Sequence, residues 1–261
     1  MSTSRVLFDV EGPTAFLTVN RPDAHNAMTS AMYDQLLEAC DRADADPAIR
    51  VFVLRGAGGR AFVSGSDIGE FTAFTSRDHG LAYERRLDAV IDRVERIRAA
   101  TIAVVGGVAA GSGCLLALAC DLRVCTPDAT FGVPIAATLG NCLSAANCAR
   151  LMDLIGPARA KDLLMTARFL DAGEASALGL VTRLVERDDL DAAVRDLAAT
   201  IAARAPLTIH ATKELVRRTQ AARRLAPADA DDVIAACYAS DDFREGVQAF
   251  LAKRPPTFVG H

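Results

Sequence analysis

Two stretches of the chain set glycines among small residues directly after short apolar runs: AFVSGSDIG at 61–69 and AAGSG at 109–113. The chemistry open to such loops is stabilisation of a negative charge. Small side chains let the backbone approach a ligand closely, and two loops lying side by side can aim two amide N–H groups at one oxygen. The second loop runs into GCLLALAC at 113–120, which reads as a helix whose N-terminal end adds partial positive charge. The same loops equally fit two tightly packed turns, and spacing alone leaves both readings open. Asp67 reads as a helix cap and Asp121 as the structural end of the apolar helix.

Several other chemistries are excluded. GSGCLL at 111–116 carries Leu116 where a dinucleotide fingerprint needs Gly or Ala, and no P-loop or G-x-S-x-G elbow occurs. His25, His79, His210 and His261 lack metal-ligand spacing, so no metal is expected; His210 and His261 read as surface groups. The seven cysteines are odd in number and form no C-x-x-C pair, which predicts reduced, buried thiols in a cytoplasmic protein. A net charge of −4 argues against nucleic acid or an anionic membrane as the main partner. The beginning of the chain, MSTSRVLFDVEG, lacks the apolar centre of a signal peptide. Residues 99–120 carry no charge, but glycines 106, 107, 111 and 113 interrupt them, so a strand, a turn and a buried helix are expected there rather than a membrane span.

The elements that must position the loops follow from periodicity. Val6–Val10 and Thr14–Val19 alternate around a Gly-Pro turn as a hairpin, and Thr29 caps a helix through Met32, Leu36, Leu37 and Cys40. A strand at Val51–Arg55 leads into the glycine-rich loop 56–71. A charged amphipathic helix at Arg77–Ala99 precedes a strand at Ile102–Val105, the helix Gly113–Cys120 and a strand at Leu122–Cys125. Helices are predicted over Ala145–Ile155, Ala158–Met165 and Ala172–Leu178, then a short strand at Val181–Val185. Further helices follow over 190–204, 207–219, 227–239 and 242–253. With 51% hydrophobic and 24% charged residues, the chain can bury a full core. The pattern predicts one folded α/β unit, with a core over 1–195 and a helical C-terminal region over 196–261.

The chain resembles the crotonase (enoyl-CoA hydratase/isomerase) superfamily from end to end. The resemblance is carried by VNRPDAHNAM at 19–28, GRAFVSGSDIGEF at 59–71, VVGGVAAGSGCLLALACDLRV at 104–124, ATFGVPIAATLGN at 129–141, ARFLDAGEASALGLVTRLV at 167–185 and FREGVQAFLAKRPPTF at 243–258. It implies a spiral of βαβ turns whose trailing helices assemble a homotrimer or a dimer of trimers. It also implies an acyl-CoA thioester as ligand, with no cofactor beyond the coenzyme A of the substrate. The backbone N–H groups of Ser66 and Ser112 are the implied oxyanion donors. Ala24 and His25 fall in the CoA-binding segment, and Phe250 and Lys253 at the positions that reach the adenine and phosphates. Ala61, Gly65, Asp67, Ile68, Gly111, Leu115 and Ile135 complete the implied substrate site.

The pattern departs from a hydratase of this family at two positions. Where the motif G-C-E-L carries its glutamate this chain has Leu115, and where F-G-x-P-E carries the second it has Ile135. No acid occurs among Thr138, Asn141, Cys142 and Ser144, and Asn141 is kept as a candidate for positioning water. His79 reads as a group on a solvated helix face, Cys142 as a buried structural thiol, and Glu70 and Glu84 as surface groups first. Three functions follow from the resemblance: an enoyl-CoA hydratase/isomerase-type enzyme with relocated acid–base groups, base-free enolate chemistry such as decarboxylation of a malonyl-type CoA, or acyl-CoA binding without turnover.

Overall fold

The computed structural model describes residues 5–260. The chain winds as a spiral in which successive coils give one strand to each of two sheets. Strands β1 (Val6–Glu11) and β2 (Thr14–Val19) form the expected antiparallel hairpin, and β2 then pairs in parallel with β3 (Val51–Gly56). Strands β4 (Ala61–Val63), β5 (Ala100–Val105), β6 (Val108–Ala110), β7 (Leu122–Cys125) and β8 (Thr130–Gly132) alternate between the sheets, and the two-residue strands β9 (Leu170–Asp171) and β10 (Arg183–Leu184) close them. The larger sheet has the order β1-β2-β3-β5-β7-β10 and the smaller β4-β6-β8-β9.

Helices α1 (Ser30–Ala45) and α2 (Arg77–Glu95) cover one face of the larger sheet together with α3 (Ser112–Ala119). Thr29 caps α1 as expected, its hydroxyl accepting from the Met32 amide. α2 stops four residues short of the expected Ala99, because the chain must turn before β5; there the Arg98 amide donates to Asp44. A short helix α4 (Ile135–Thr138) is followed by α5 (Ala145–Ile155), α6 (Pro157–Thr166) and α7 (Ala172–Ala177). Four helices follow, α8 (Leu190–Ala202), α9 (Pro206–Ala221), α10 (Asp231–Ala239) and α11 (Asp241–Leu251), so the 195/196 boundary read from the sequence falls inside α8. The 227–239 segment begins as a 3-10 turn, Pro227–Ala230. The 56–71 loop also carries structure: it contains β4 and enters a second 3-10 turn, Ile68–Ala73.

Burial explains the charge-free run. β5 and every residue of α3 are buried, and no helix among the described residues is long and apolar enough to cross a membrane. The central strands β2, β3, β5 and β7 of the larger sheet are buried on both faces, as a parallel sheet under helices requires, whereas the edge strand β1 is largely exposed. Phe16, Val51, Val53, Ile102 and Val124 face Val194, Leu197 and Ala198 of α8 on the outer side. A third cluster holds the C-terminal helices on the site: Tyr238 of α10 and Phe243 and Val247 of α11 pack with Phe71 and Leu139.

Candidate active site

The two glycine loops meet at one cavity of about 630 Å³. β4 and β6 pair in parallel, so the loops leaving their C-terminal ends emerge side by side. Met28 forms a parallel bridge opposite Ser66: its N–H donates to the Gly65 carbonyl and its carbonyl accepts from the Asp67 amide, both at 2.8 Å. A parallel bridge uses the neighbours of the opposed residue, so the N–H of Ser66 itself is directed away from it. Ser112 is the first residue of α3, and its N–H is one of the helix-start amides without an intrahelical acceptor. A Cβ on Gly113 would lie 1.9 Å from the Val63 carbonyl oxygen; glycine is what allows α3 to start hard against β4.

The side chains of the two serines confirm the proximity, with Oγ atoms 3.3 Å apart. Tyr33 of α1 donates to Ser112 Oγ at 2.7 Å and contacts Ser66 Oγ at 2.8 Å, and Tyr83 of α2 contacts Ser66 Oγ at 2.7 Å. Burial pushes the Tyr33 phenol up to about 12 and the Tyr83 phenol well above its usual range, so both remain neutral.

A second polar group stands on the same cavity. Glu84, expected at the surface, is 2% exposed and lines the cavity. The reason is helical phase: Gly80, Glu84, Leu87, Ile91 and Val94 share the buried stripe of α2, flanked by the half-buried Asp88 and Glu95, which Ser144, Asn147, Arg150 and Arg224 hold, while Arg77, Asp78, Arg85 and Arg86 face outward. Gly80 removes the side chain that would otherwise collide with the Tyr238 ring, since a Cβ there would sit 2.2 Å from it. Tyr238 thereby reaches Glu84, donating its hydroxyl to Oε1 at 2.5 Å while accepting from Asn141 Nδ2 at 2.9 Å. Glu84 Oε2 and Asn141 Oδ1 are buried without a hydrogen-bond partner. Burial raises the Glu84 carboxyl to about 8, against the opposing pull of the Tyr238 hydrogen bond and the nearby Ser144 amide; Asp88 adds to the rise.

Most residues selected from the sequence come together here. Gly65, Ser66, Gly111 and Ser112 form the loop wall; Ile68, Leu115 and Ile135 are apolar lining, and Asn141 lies beside Glu84. Ala24, His25, Asp67, Phe250 and Lys253 also line the cavity, and His25, Phe250 and Lys253 are exposed, which places them at its outer end. Arg21 joins them and pairs with Asp67 at 2.6 Å. That hydrogen bond holds the Asp67 carboxyl below its usual range, while the other Asp67 oxygen accepts from the Gly69 amide as a cap. Ala61 does not reach the cavity: it lies buried in β4, its carbonyl accepting from Asn26 Nδ2 at 2.8 Å. That bond ties the 21–28 segment to the first loop.

The remaining candidates lie elsewhere or are occupied. Glu70 is exposed and accepts from the Ser30 amide and hydroxyl. His79 is exposed at the start of α2, accepting from the Thr75 amide at 3.1 Å, and does not line the cavity. Thr138 lines the cavity, but its hydroxyl donates to the Pro134 carbonyl. The neighbouring Cys237, together with burial, keeps Cys142 a thiol. Asp121 does more than end α3: it accepts from the Thr101 amide and hydroxyl and pairs with Lys213 of α9 at 2.8 Å. His210 is exposed, and His261 lies outside the described residues. Among the described residues no group of three His, Cys, Asp or Glu side chains could hold a metal ion. Sequence reasoning missed Tyr33, Tyr83 and Tyr238. They are the only three tyrosines in the chain, and all three stand at this site.

A two-sheet spiral in which two glycine loops, the second of them running into a helix start, meet at an apolar-lined cavity has the crotonase fold. The model of the enoyl-CoA hydratase/isomerase family matches residues 10–261, and the chain belongs to that family. It is 32% identical to a crotonyl-CoA hydratase of Syntrophomonas wolfei, with 99% of both chains covered, and 34% identical to a probable enoyl-CoA hydratase of Rhizobium meliloti, again with 99% of both covered. Among solved structures, methylmalonyl-CoA decarboxylase complexed with 2S-carboxypropyl CoA superposes with a TM-score of 0.90 at 28% identity over 100% of both chains. An enoyl-CoA hydratase/carnithine racemase from Magnetospirillum magneticum gives 0.80 at 35% identity, covering 100% of this chain and 97% of that one.

Proposed function

We propose that this chain binds an acyl-CoA thioester in the cavity and stabilises its enolate between the N–H groups of Ser66 and Ser112. The observation that carries the reading is the meeting of the two loops, with their serine Oγ atoms 3.3 Å apart on an apolar cavity of about 630 Å³. Two fixed amides, one at a helix start, offer a thioester oxygen more stabilisation as it becomes an oxyanion than in the ground state. The cationic groups Arg21 and Lys253, with the His25 imidazole beside them, stand at the outer end, where the phosphates of coenzyme A would lie. The reaction needs no cofactor beyond the coenzyme A of the substrate.

Hydration or isomerisation of an enoyl thioester is the first reading, supported by family membership. Decarboxylation of a malonyl-type thioester is the second. It is favoured by the apolar Leu115 and Ile135 on the cavity and by the 0.90 superposition on methylmalonyl-CoA decarboxylase, because loss of CO₂ generates the enolate without a base. A time course by mass spectrometry with crotonyl-CoA and methylmalonyl-CoA in one mixture separates them. Gain of water by the first supports hydration, and loss of CO₂ from the second supports decarboxylation. Saturable binding of both with turnover of neither would leave an acyl-CoA-binding protein.

Assembly as a homotrimer or dimer of trimers belongs to the same proposal. It is supported by α9, which buries no residue within the chain and exposes Leu207, Leu215 and Val216. The seven cysteines, all free, suit a cytoplasmic setting.

A further inference from the structure

We infer that Glu84 is the catalytic residue that exchanges a proton with the α-carbon of the bound thioester, oriented by Tyr238 and accompanied by Asn141. The inference rests on the acyl-CoA reading above and assigns it the acid–base group that Leu115 and Ile135 cannot supply. Three geometric observations carry it. Glu84 lines the same cavity as both oxyanion loops while being almost fully buried. One of its oxygens is fixed by the Tyr238 hydroxyl at 2.5 Å, and the same hydroxyl accepts from Asn141. Apart from the weaker approach of the Ser144 amide to the carboxylate, the other Glu84 oxygen and the Asn141 carbonyl are buried and make no hydrogen bond. A fold that only needed to fill this space would be more stable with apolar groups, because a buried polar atom without a partner is costly. Orphaned acceptors at a cavity wall are what a proton-transfer site requires before its substrate arrives.

The step balances without a further reactant. The α-C–H bond breaks, its proton passes to the Glu84 carboxylate, and its electron pair moves to the thioester oxygen held by Ser66 and Ser112. Reversal returns a proton from Glu84 to the α-carbon. In the hydratase reading this exchange is the half-reaction at the α-carbon; in the decarboxylase reading only the return step is used, after CO₂ has left. The titratable groups around Glu84 are Tyr238 from α10, Asp88 one turn along α2, Tyr83 beside it, Tyr33 from α1, Cys142 in the loop before α5 and Cys148 on α5. Burial makes the carboxyl titrate high, none of these neighbours carries a positive charge to oppose it, and its anion is a stronger base than a solvated carboxylate.

The test is deuterium incorporation at the α-carbon of butyryl-CoA in D₂O, followed by mass spectrometry on the whole protein. Butyryl-CoA has no double bond to hydrate and no carboxylate to lose, so exchange reads proton transfer alone. The wild type is expected to exchange at a rate that rises with pH through about 8 as Glu84 ionises. Glu84→Gln keeps the shape and is expected to lower the rate by about 10²–10⁴, with butyryl-CoA affinity and melting temperature maintained. Tyr238→Phe removes a hydrogen bond to the charged form and is expected to move the pH profile upward while leaving exchange measurable. A merely structural Glu84 would move neither the exchange rate at constant affinity nor the profile. Wild-type exchange with an equally active Glu84→Gln would overturn the assignment of Glu84 and leave the enolate reading standing. A wild type that binds butyryl-CoA but never exchanges would overturn both.

Discussion

At positions 66 and 112 the group that matters is the backbone N–H, and the side chains can be separated from it experimentally. Ser112→Ala deletes a hydroxyl that accepts from Tyr33, but Tyr33 retains Ser66 as a partner. The expected result is a stability loss of about 1 kcal/mol and a change in turnover of less than about tenfold. Ser112→Pro is the informative counterpart, because helices accept proline at their first position while losing that N–H. It is expected to lower turnover of whichever thioester proves active by about 10²–10³ with the fold intact by circular dichroism. Equal activity of the two variants would remove this amide from the mechanism. Glu84 makes a separate prediction on stability. Burial raises its carboxyl from the ordinary 4.5 to about 8 in the fold, so between those values the folded state binds more protons than the unfolded state. Its contribution is therefore fully present below about 4.5 and is lost as pH rises toward 8. The melting temperature of the wild type relative to Glu84→Gln is expected to fall across that window; a constant difference would mean the carboxyl is not shifted.

The elements that build the site are set by close approach as much as by hydrophobic period. α3 is positioned by Gly113, where an added Cβ would overlap the Val63 carbonyl at 1.9 Å. Gly113→Ala must move the helix start away from β4, and with it the Ser112 amide. Overpacking of this kind typically costs about 1–3 kcal/mol, and calorimetry is expected to show a lowered melting temperature together with loss of turnover. Preserved turnover would mean that the position of α3 is not critical. The loops, the hairpin and the apolar helix were legible because glycine clusters and charge-free runs are local signals. The three-residue strands β4, β6 and β8 were not, since three residues carry no measurable alternation. Glu84 was misplaced although α2 was recognised: its charge suggested solvent, whereas the stripe of Gly80, Leu87 and Ile91 put it inside. Tyr33, Tyr83 and Tyr238 come from three helices distant in sequence, and only the tertiary fold brings them together; their scarcity in the composition was the one available hint.

Over the whole molecule, the helical C-terminal region divides its surfaces between the site and the exterior. α10 and α11 fold back so that Tyr238 meets Glu84 and Phe250 and Lys253 line the cavity of their own chain. α9 does the opposite. Leu207, Leu215 and Val216 are 80%, 65% and 55% exposed on a helix with no buried residue. The helix is nonetheless anchored to the core, since Lys213 reaches the Ala99 carbonyl and pairs with Asp121. Apolar side chains held in place and left uncovered are the ordinary mark of a subunit contact. Repetition of one such contact around a closed ring gives the symmetric assembly proposed here. Native mass spectrometry of the wild type is expected to show trimers or hexamers. Leu215→Glu with Val216→Glu is expected to shift the population toward monomer, because both charges would be buried unpaired in the contact. The site residues of one chain already line a single cavity, so thioester binding by the dissociated variant should survive. A wild type that is monomeric at micromolar concentration would refute the assembly, and a double variant that still assembles would move the contact away from α9.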